Sequence, residues 1–265
     1  MNRRQFALAS VATLAPGVVR ADAGPALKAA IDDPRRASAN RERDRFRHPL
    51  QSLTFWGLQP GMTVVEIDPA GGYWTEILGP YLKSTGGRYI AAVGGDPAPF
   101  EARFANAALW GPMAIVPFGK SSGPLAPPGS ADMVLTARNI HDWMWVPGMV
   151  DKVFGDFHAA LHPGGILAVE QHRADPRPMV PEARDGYVST AFVVTTARKA
   201  GFRLDGSSEI NANPKDTKDY PFGVWTLPPT RRTHEPGKPT PPGFDPARYE
   251  AIGESDRMTL RFRRT

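Results

Sequence analysis

Residues 63–75 read Thr63-Val-Val-Glu-Ile-Asp-Pro-Ala-Gly-Gly-Tyr-Trp-Thr75, and this stretch decides the fold of the chain. Its β-branched start favours a strand, its Pro-Ala-Gly-Gly run predicts a tight turn, and the amphipathic residues 74–83 predict a helix. Because glycine has no Cβ, the backbone N–H groups of such a turn and the helix N-terminus can approach a bound group closely. A strand, glycine turn and helix in this order therefore predict a ligand site at the turn.

The alternation of strands and helices continues on both sides of this segment. Strands are predicted over 63–68, 88–93, 113–117, 131–137, 166–171, 202–210 and 258–263. Helices are predicted over 26–32, 50–55, 74–83, 98–109, 147–161 and 187–199. Strands that alternate with helix-length segments build a parallel sheet with helices on both faces, and right-handed crossovers make it doubly wound. The predicted class is an α/β fold with a doubly wound, mostly parallel sheet.

Composition excludes several kinds of protein. The chain has 265 residues, of which 41% are hydrophobic and 22% are charged, and this balance is typical of a globular protein. It contains no cysteine, which excludes disulfides, thiolate metal sites and cysteine nucleophiles. Outside the N-terminus no stretch of about 18 apolar residues occurs, so no stable membrane span is expected.

The N-terminus has the pattern of an export signal. Two arginines, Arg3 and Arg4, precede Phe6 and the apolar run 7–19, and small residues follow near Ala21. Residues 1–23 are therefore predicted to be a signal peptide of the twin-arginine type, which directs the chain through the twin-arginine export machinery to the periplasm. The alternative is an ordinary Sec signal peptide.

Charge gives little support to a nucleic-acid partner. The whole chain has 32 basic and 27 acidic residues, and removal of residues 1–21 takes away three arginines and no acids. The remaining net charge is only +2, so no nucleic-acid binding is predicted. The sequence does not indicate an oligomeric state.

Behind the signal, the chain divides into two parts. Residues 24–57 are predicted to form an N-terminal helical extension, and residues 58–265 the main α/β domain. Within that domain, residues 211–255 contain nine prolines, which oppose helices and central strands. This Pro-rich segment is predicted to be a long insertion over the surface, and the sequence leaves open whether it covers the ligand cleft.

Five motifs together resemble one family. Residues Glu66–Glu76 are similar to the acid-and-glycine loop of class I S-adenosylmethionine-dependent methyltransferases, Leu161–Leu167 to their Leu-Lys-Pro-Gly-Gly-x-Leu turn, and Ser130–Leu135 to their fourth strand. Arg43–Pro49 and Arg138–Trp143 also resemble segments of a bacterial group of predicted methyltransferases that often carry signal peptides. The resemblance covers roughly residues 30–210 and the last strand. It implies a Rossmann-like methyltransferase fold with an antiparallel last strand.

The same resemblance implies S-adenosylmethionine as the cofactor and a small molecule as the methyl acceptor. It places the cofactor against Glu66, Asp68, Gly71, Gly72, Tyr73, Asp96 and Phe118. Three of these residues have an alternative role. Glu66 can instead cap backbone N–H groups, Asp96 can form a turn before a proline rather than bind ribose hydroxyls, and Phe118 can pack in the core rather than stack on adenine.

The chain departs from the family pattern in the loop itself. The usual motif has glycines where this chain has Asp68, Ala70 and Gly72. The carboxylate of Asp68 can either pair with the ammonium group of the cofactor or block the site. Ala70 reduces the clearance above the loop by one methyl group.

Polar and aromatic residues follow the fourth predicted strand, where the family carries catalytic groups. The resemblance implies that His141 acts as a general base, that Asn139 orients the nucleophile and that Asp142 fixes the histidine tautomer. Alternatively, the neighbouring tryptophans anchor the next helix and His141 caps it. His172 also ends a strand at this edge, but two histidines far apart in sequence do not predict a metal site, and none is predicted.

Two further alternatives concern the whole protein. An exported chain with this fold can serve as a non-catalytic binding or accessory factor, because S-adenosylmethionine is made in the cytoplasm and fold does not dictate function. A nicotinamide oxidoreductase is disfavoured, because the Gly-x-Gly-x-x-Gly fingerprint is absent. The charged run Arg43 to His48 either binds an anionic group or forms a solvated helix face.

Overall fold

The computed structural model describes residues 23–265, and within them one seven-stranded sheet forms the centre. The strands are β1 (Thr63–Ile67), β2 (Arg88–Gly94), β3 (Met113–Phe118), β4 (Ala131–Ala137), β5 (Leu161–His172), β6 (Phe202–Ser208) and β7 (Arg257–Arg264). Their order is β3-β2-β1-β4-β5-β7-β6. Strands β1 to β5 pair in parallel, whereas β7 lies antiparallel between β5 and β6. The predicted doubly wound, mostly parallel sheet with an antiparallel last strand is confirmed.

Helices cover both faces of the sheet. They are α1 (Ala23–Ile31), α2 (Ser38–Arg41), α3 (Asp44–Arg47), α4 (Pro49–Trp56), α5 (Thr75–Thr85), α6 (Ala98–Phe104), α7 (Ala107–Trp110), α8 (Ile140–Trp143), α9 (Met149–Ala160), α10 (Thr190–Lys199) and α11 (Pro246–Glu250). Alternate residues of a strand point to opposite faces, so Val64 packs with α1, α4 and α5 while Val65 packs with α9 and α10. The two apolar clusters hold the helices against the sheet.

The N-terminal extension packs beside the start of α5. The backbone N–H of Ala37 and the side-chain amide of Asn40 both donate to Glu76 Oε2, at 3.2 and 2.9 Å. Helix α4 ends at Gly57, which takes the left-handed conformation expected of a helix C-cap. Just before it, the indole of Trp56 donates to the carbonyl of Leu260 in β7. The extension is therefore held by hydrogen bonds against α5 on one side and against β7 on the other.

Some predicted bounds are wrong for local reasons. The single helix predicted over 98–109 is two helices, because Asn106 interrupts it and caps α7 by accepting a hydrogen bond from Leu109. The helix predicted from 187 begins at Thr190, where the Ser189 side chain caps it. The first strand ends one residue earlier than predicted, because Asp68 turns into the left-handed region with φ of 45°.

The Pro-rich segment has little regular structure. It contains a short 3-10 helix, Gly223–Thr226, and helix α11. None of the helices within residues 23–265 is long and apolar enough to cross a membrane. The predicted signal peptide, residues 1–23, lies outside the described residues except for Ala23, which begins α1.

Candidate functional site

A cavity of about 240 Å³ lies at the carboxyl ends of β1, β4 and β5. Three parts of the chain line it: the loop after β1, the segment after β4, and residues 224–230 of the Pro-rich segment. Carboxyl ends of parallel strands are where open α/β sheets bind their ligands. The cavity is therefore the candidate site, and it lies beside the turn that the sequence singles out.

The loop after β1 keeps the backbone shape of a glycine loop without all the glycines. Asp68, Ala70 and Gly72 have φ values of 45°, 47° and 72°, all in the left-handed region. For a residue with a Cβ this conformation costs roughly 1–2 kcal/mol. A Cβ on Gly72 would also lie 2.4 Å from the ring of Phe104 in α6, so packing requires a glycine there. Such strain commonly marks a functional loop.

Glu66 is a buried carboxylate at the end of β1. Its Oε2 accepts hydrogen bonds from the Tyr89 hydroxyl at 2.6 Å and from Thr75 Oγ1 at 3.0 Å. Burial raises its pKa to about 7, and the two hydrogen bonds oppose that rise. Glu66 also lines the cavity, and its contact with a cofactor stays a prediction beside this internal hydrogen-bonding role.

Asp68 carries a carboxylate from the loop to the end of β2. Its Oδ1 accepts a hydrogen bond from the backbone N–H of Gly94 at 3.4 Å. Burial raises the pKa of Asp68, and the bond from Gly94 opposes this effect. Asp68 thus places a partly desolvated acid on the wall of the cavity.

His141, predicted as a general base, lies in the cavity wall with both ring nitrogens engaged. Gln171 Oε1 accepts from the backbone N–H of Ile140 at 3.1 Å, so its amide nitrogen faces and donates to His141 Nδ1, also at 3.1 Å. The proton of His141 is then on Nε2, which lies 3.4 Å from Asp142 Oδ1. Burial lowers the pKa of His141 to about 4. A neutral ring with its only lone pair occupied does not fit the predicted role of proton acceptor.

Asp142 is the neighbouring group that does fit that role. Half of its side chain is exposed, and it lines the cavity beside His141. Partial burial, and secondly the charge of Asp68, raise its pKa to about 6. A carboxylate with a pKa near neutrality is suited to accept a proton from a bound nucleophile. The sequence predicted His141 as the base, whereas in the structure it is the partly exposed carboxylate of Asp142 that has the pKa nearer to neutrality.

Asn139 ties the ends of β4 and β1 together. Its side-chain amide nitrogen donates to the carbonyl oxygen of Ile67 at 2.7 Å. This bond uses the donor end of the amide and leaves the Oδ1 acceptor as the group that Asn139 can offer to a ligand in the cavity.

The Pro-rich segment forms the roof of the cavity, which answers the question left open by the sequence. Trp225, Pro228, Pro229 and Thr230 line it. The ring of Trp225 lies 5.7 Å from that of His141 and 5.9 Å from that of Trp145, measured between centroids. Aromatic contacts thus hold the roof directly over the polar residues that follow β4.

Tyr73 forms the side of the cavity that adjoins the N-terminal extension. Its hydroxyl donates to Asp44 Oδ1 at 2.7 Å, and the guanidinium of Arg47 lies over its ring at 4.4 Å from the centroid. Arg47 is fully buried. The charged run of the extension is therefore folded against the site and is not a solvated helix face.

Four other predicted cofactor contacts lie away from the cavity walls. Gly71 is exposed on the loop, and Gly72 packs under Phe104. Asp96 is exposed, and its Oδ1 accepts from the backbone N–H of Ala98 at 3.0 Å. Phe118 is buried in the core with its ring 5.7 Å from that of Trp143. In residues 23–265 no group of three or more His, Asp or Glu side chains is arranged to hold a metal ion.

Three further residues line the cavity: Arg138 and His172, which follow or end β4 and β5, and Trp225 in the roof. The sequence placed the first two at this edge without giving them a role in binding, and it missed Trp225. An aromatic residue within a Pro-rich segment was the available signal for Trp225.

Comparisons with known proteins bear on the fold. No family model matches this sequence, and no curated protein matches it either. A solved S-adenosylmethionine-dependent methyltransferase from Aquifex aeolicus is similar with a TM-score of 0.52 and 20% identity, over 72% of this chain and 93% of its own. One from Mesorhizobium loti has a TM-score of 0.50 and 14% identity, over 81% and 97% of the two chains.

A third solved structure has the same architecture and a different activity. It is the [4+2]-cyclase SpnF, with a TM-score of 0.52 and 15% identity, over 86% of this chain and 83% of its own. At these identities the similarities establish a shared fold, the Rossmann-like methyltransferase fold, and the activity has to be argued from the site.

Proposed function

We propose that this protein is an S-adenosylmethionine-dependent methyltransferase that acts on a small molecule. One observation carries the proposal: a single cavity brings the strained loop after β1 together with the acid and the amide, Asp142 and Asn139, that follow β4. In sheets of this kind the two elements correspond to a cofactor side and a reaction side. The solved structures that share the fold include S-adenosylmethionine-dependent methyltransferases, which supports the proposed activity.

The residues present fit the amino-acid end of the cofactor. S-adenosylmethionine has positive charges on its ammonium group and its sulfur, and Asp68 and Asp142 supply carboxylates on the cavity wall. When bound, the cofactor supplies an electrophilic methyl group on sulfur. We propose that Asp68 holds the ammonium group.

The reaction side would work through Asp142. Its carboxylate would accept the proton of the acceptor's nucleophile, with His141 Nε2 at 3.4 Å as its neighbour. The tautomer of His141 is held by Gln171, and the Oδ1 of Asn139 is available to orient the nucleophile. Trp225 of the roof lies next to His141 on this side of the cavity.

Binding of the cofactor tests the proposal directly. Calorimetry of the purified protein with S-adenosylmethionine and S-adenosylhomocysteine should show that both bind. Asp68→Asn should weaken S-adenosylmethionine about 10- to 100-fold, because a charge-assisted hydrogen bond is worth about 1.5–3 kcal/mol. Asparagine also tolerates the left-handed backbone, so the variant should fold. Asp151→Asn, at an exposed position of α9, is the matched control.

A second candidate, a binding or accessory factor without methyl transfer, is favoured by one observation. Asp68 reaches Gly94, so its carboxylate lies across the gap between the loop and β2. If neither adenosyl compound binds the wild-type protein, this candidate replaces the first. Binding that appears only in Asp68→Gly would show that the aspartate closes the site.

We also propose that the protein is exported to the periplasm by the twin-arginine route. The support is the sequence alone, through Arg3, Arg4 and the apolar run behind them. The acceptor would then be a molecule of the cell envelope or its surroundings.

A further inference from the structure

Arg138 is a cation in the cavity wall that has no full partner. It directly follows β4, takes a left-handed conformation with φ of 67°, and its backbone N–H donates to the carbonyl of Glu170. Its Nε is buried and makes no hydrogen bond with any described residue. The closest carboxylate oxygen, Glu170 Oε1, is 3.9 Å away. Burial lowers the pKa of this guanidinium from its ordinary value, as expected for a cation that lacks compensation.

The neighbouring carboxylates are already paired with other arginines. Glu170 lies 2.7 Å from Arg257 Nη1. Glu254 contacts three arginines: Arg43 at 2.6 Å, and Arg47 and Arg257 at 3.0 Å each. The four arginines of this cluster therefore share two carboxylates and leave an excess of two positive charges. An unpaired buried charge is costly, so the cluster is poised for an anion.

The excess positive charge lies on one side of the cavity. The Arg138 side chain lies on the β5 side of the cavity, 3.9 Å from Glu170. His172, at the end of β5, adds no positive charge there, because burial and the nearby charges keep its pKa well below its usual range. Asp68 and the loop after β1 lie on the opposite side, toward β2. The cavity thus has an acidic end at Asp68 and Asp142 and a basic end at Arg138, next to β5.

We propose that Arg138 binds an anionic group of the methyl acceptor, so that the acceptor is a small carboxylate or phosphate. This inference rests on the proposed function, because it assigns the acidic end of the cavity to the cofactor. Carboxylates and phosphates share the geometry that a guanidinium recognises with two parallel hydrogen bonds. The anion would also supply the charge that Glu170 and Glu254 do not.

Calorimetry with simple probes tests this assignment. Benzoate and phenyl phosphate are titrated into the purified protein, alone and with saturating S-adenosylhomocysteine, and benzamide serves as the neutral analogue. At least one anion should bind and benzamide should not, and the stronger of the two identifies the class. Binding should persist in the presence of S-adenosylhomocysteine, because the two ligands use different ends of the cavity.

Two variants connect the binding to one side chain. Arg138→Met should weaken the anion about 10- to 100-fold, from the loss of a charge-assisted pair. Arg138→Lys, which keeps the charge and loses the planar fork, should have an intermediate effect. The Met variant should remain folded because Glu170 keeps Arg257 as its partner. Arg184→Met removes a guanidinium that is 58% exposed outside the cavity and is the matched control.

The outcomes separate this inference from the proposed function. Failure of S-adenosylhomocysteine to bind, with anion binding intact, overturns the methyltransferase and leaves Arg138 as an anion site. Competition between the two ligands, or loss of S-adenosylhomocysteine binding in Arg138→Met, would assign Arg138 to the cofactor carboxylate and overturn the inference. Equal binding of anions by wild type and Arg138→Met would overturn it as well.

Discussion

Replacing Glu66 by Gln is expected to stabilise the protein above neutral pH and to change its stability much less in mild acid. The Glu66 carboxyl is buried, and only two neutral hydroxyls, those of Tyr89 and Thr75, donate to it. No arginine or lysine is paired with it among the described residues. Gln keeps a carbonyl oxygen that can accept both hydrogen bonds and removes the group that has to ionise without a counter-ion.

The magnitude follows from the pKa of Glu66, which burial raises from 4.5 to about 7. The folded protein binds this proton more tightly than the unfolded chain, so the group's stabilising effect is complete below 4.5 and is lost as the pH rises through 7. Each pKa unit corresponds to about 1.4 kcal/mol. Ionisation of Glu66 therefore costs about 3 kcal/mol at about pH 8.5 and about 1 kcal/mol at about pH 5.

Urea denaturation of wild type and Glu66→Gln at these two pH values measures the effect. The advantage of the variant in free energy of unfolding should grow by about 2–3 kcal/mol from about pH 5 to about pH 8.5. Glu101→Gln, at an exposed position of α6, should show no such growth. A difference between wild type and Glu66→Gln that is constant across this range would refute the reasoning, because it would mean that Glu66 ionises as freely in the fold as outside it.

Three further predictions address the site, the loop and the export signal. At saturating cofactor, the rate of methyl transfer should rise with pH through about 6 as Asp142 loses its proton. Asp142→Asn should lower this rate about 10²- to 10⁴-fold and remove its dependence on pH. If the pH dependence of the rate is the same in the variant as in the wild type, Asp142 is not the base. Gly72→Ala should lower the free energy of unfolding by about 1–3 kcal/mol in chemical denaturation, because residue 72 has a positive φ and its new Cβ would meet the Phe104 ring. Gly71→Ala should change this free energy little, because a Cβ at position 71 has no atom within 4 Å. Equal effects of the two variants would contradict the packing argument. Replacing Arg3 and Arg4 together by Lys should retain the chain in the cytoplasm in cell fractionation, and continued export would indicate a Sec signal.

The order of strands and helices could be predicted from the sequence because each element carries its own periodic pattern. The strand before Asp68 was indicated by its run of β-branched residues, and the helix after Trp74 by the amphipathic spacing of its apolar residues. The break between α6 and α7 was missed because it depends on one capping side chain, Asn106, within an otherwise helical run. Local patterns thus determined the elements but not all of their ends.

The site was only partly predictable, because charge pairing joins residues far apart in the chain. The position of His141 after β4 could be predicted, but its tautomer depends on Gln171 in another strand. The burial of Arg47 depends on Glu254, more than two hundred positions later. The roof depends on the path of the Pro-rich segment, which has no periodic pattern to read.

The antiparallel insertion of β7 has a consequence for biosynthesis. Its residues, Arg257–Arg264, are translated after both of the strands between which they lie. While they are still inside the ribosome, β5 and β6 have no partner along the edges that they later share with β7. Unpaired edges of this kind attract other extended chains. A nascent chain should therefore depend on chaperones until β7 emerges, and deletion of the β7 residues should cause aggregation.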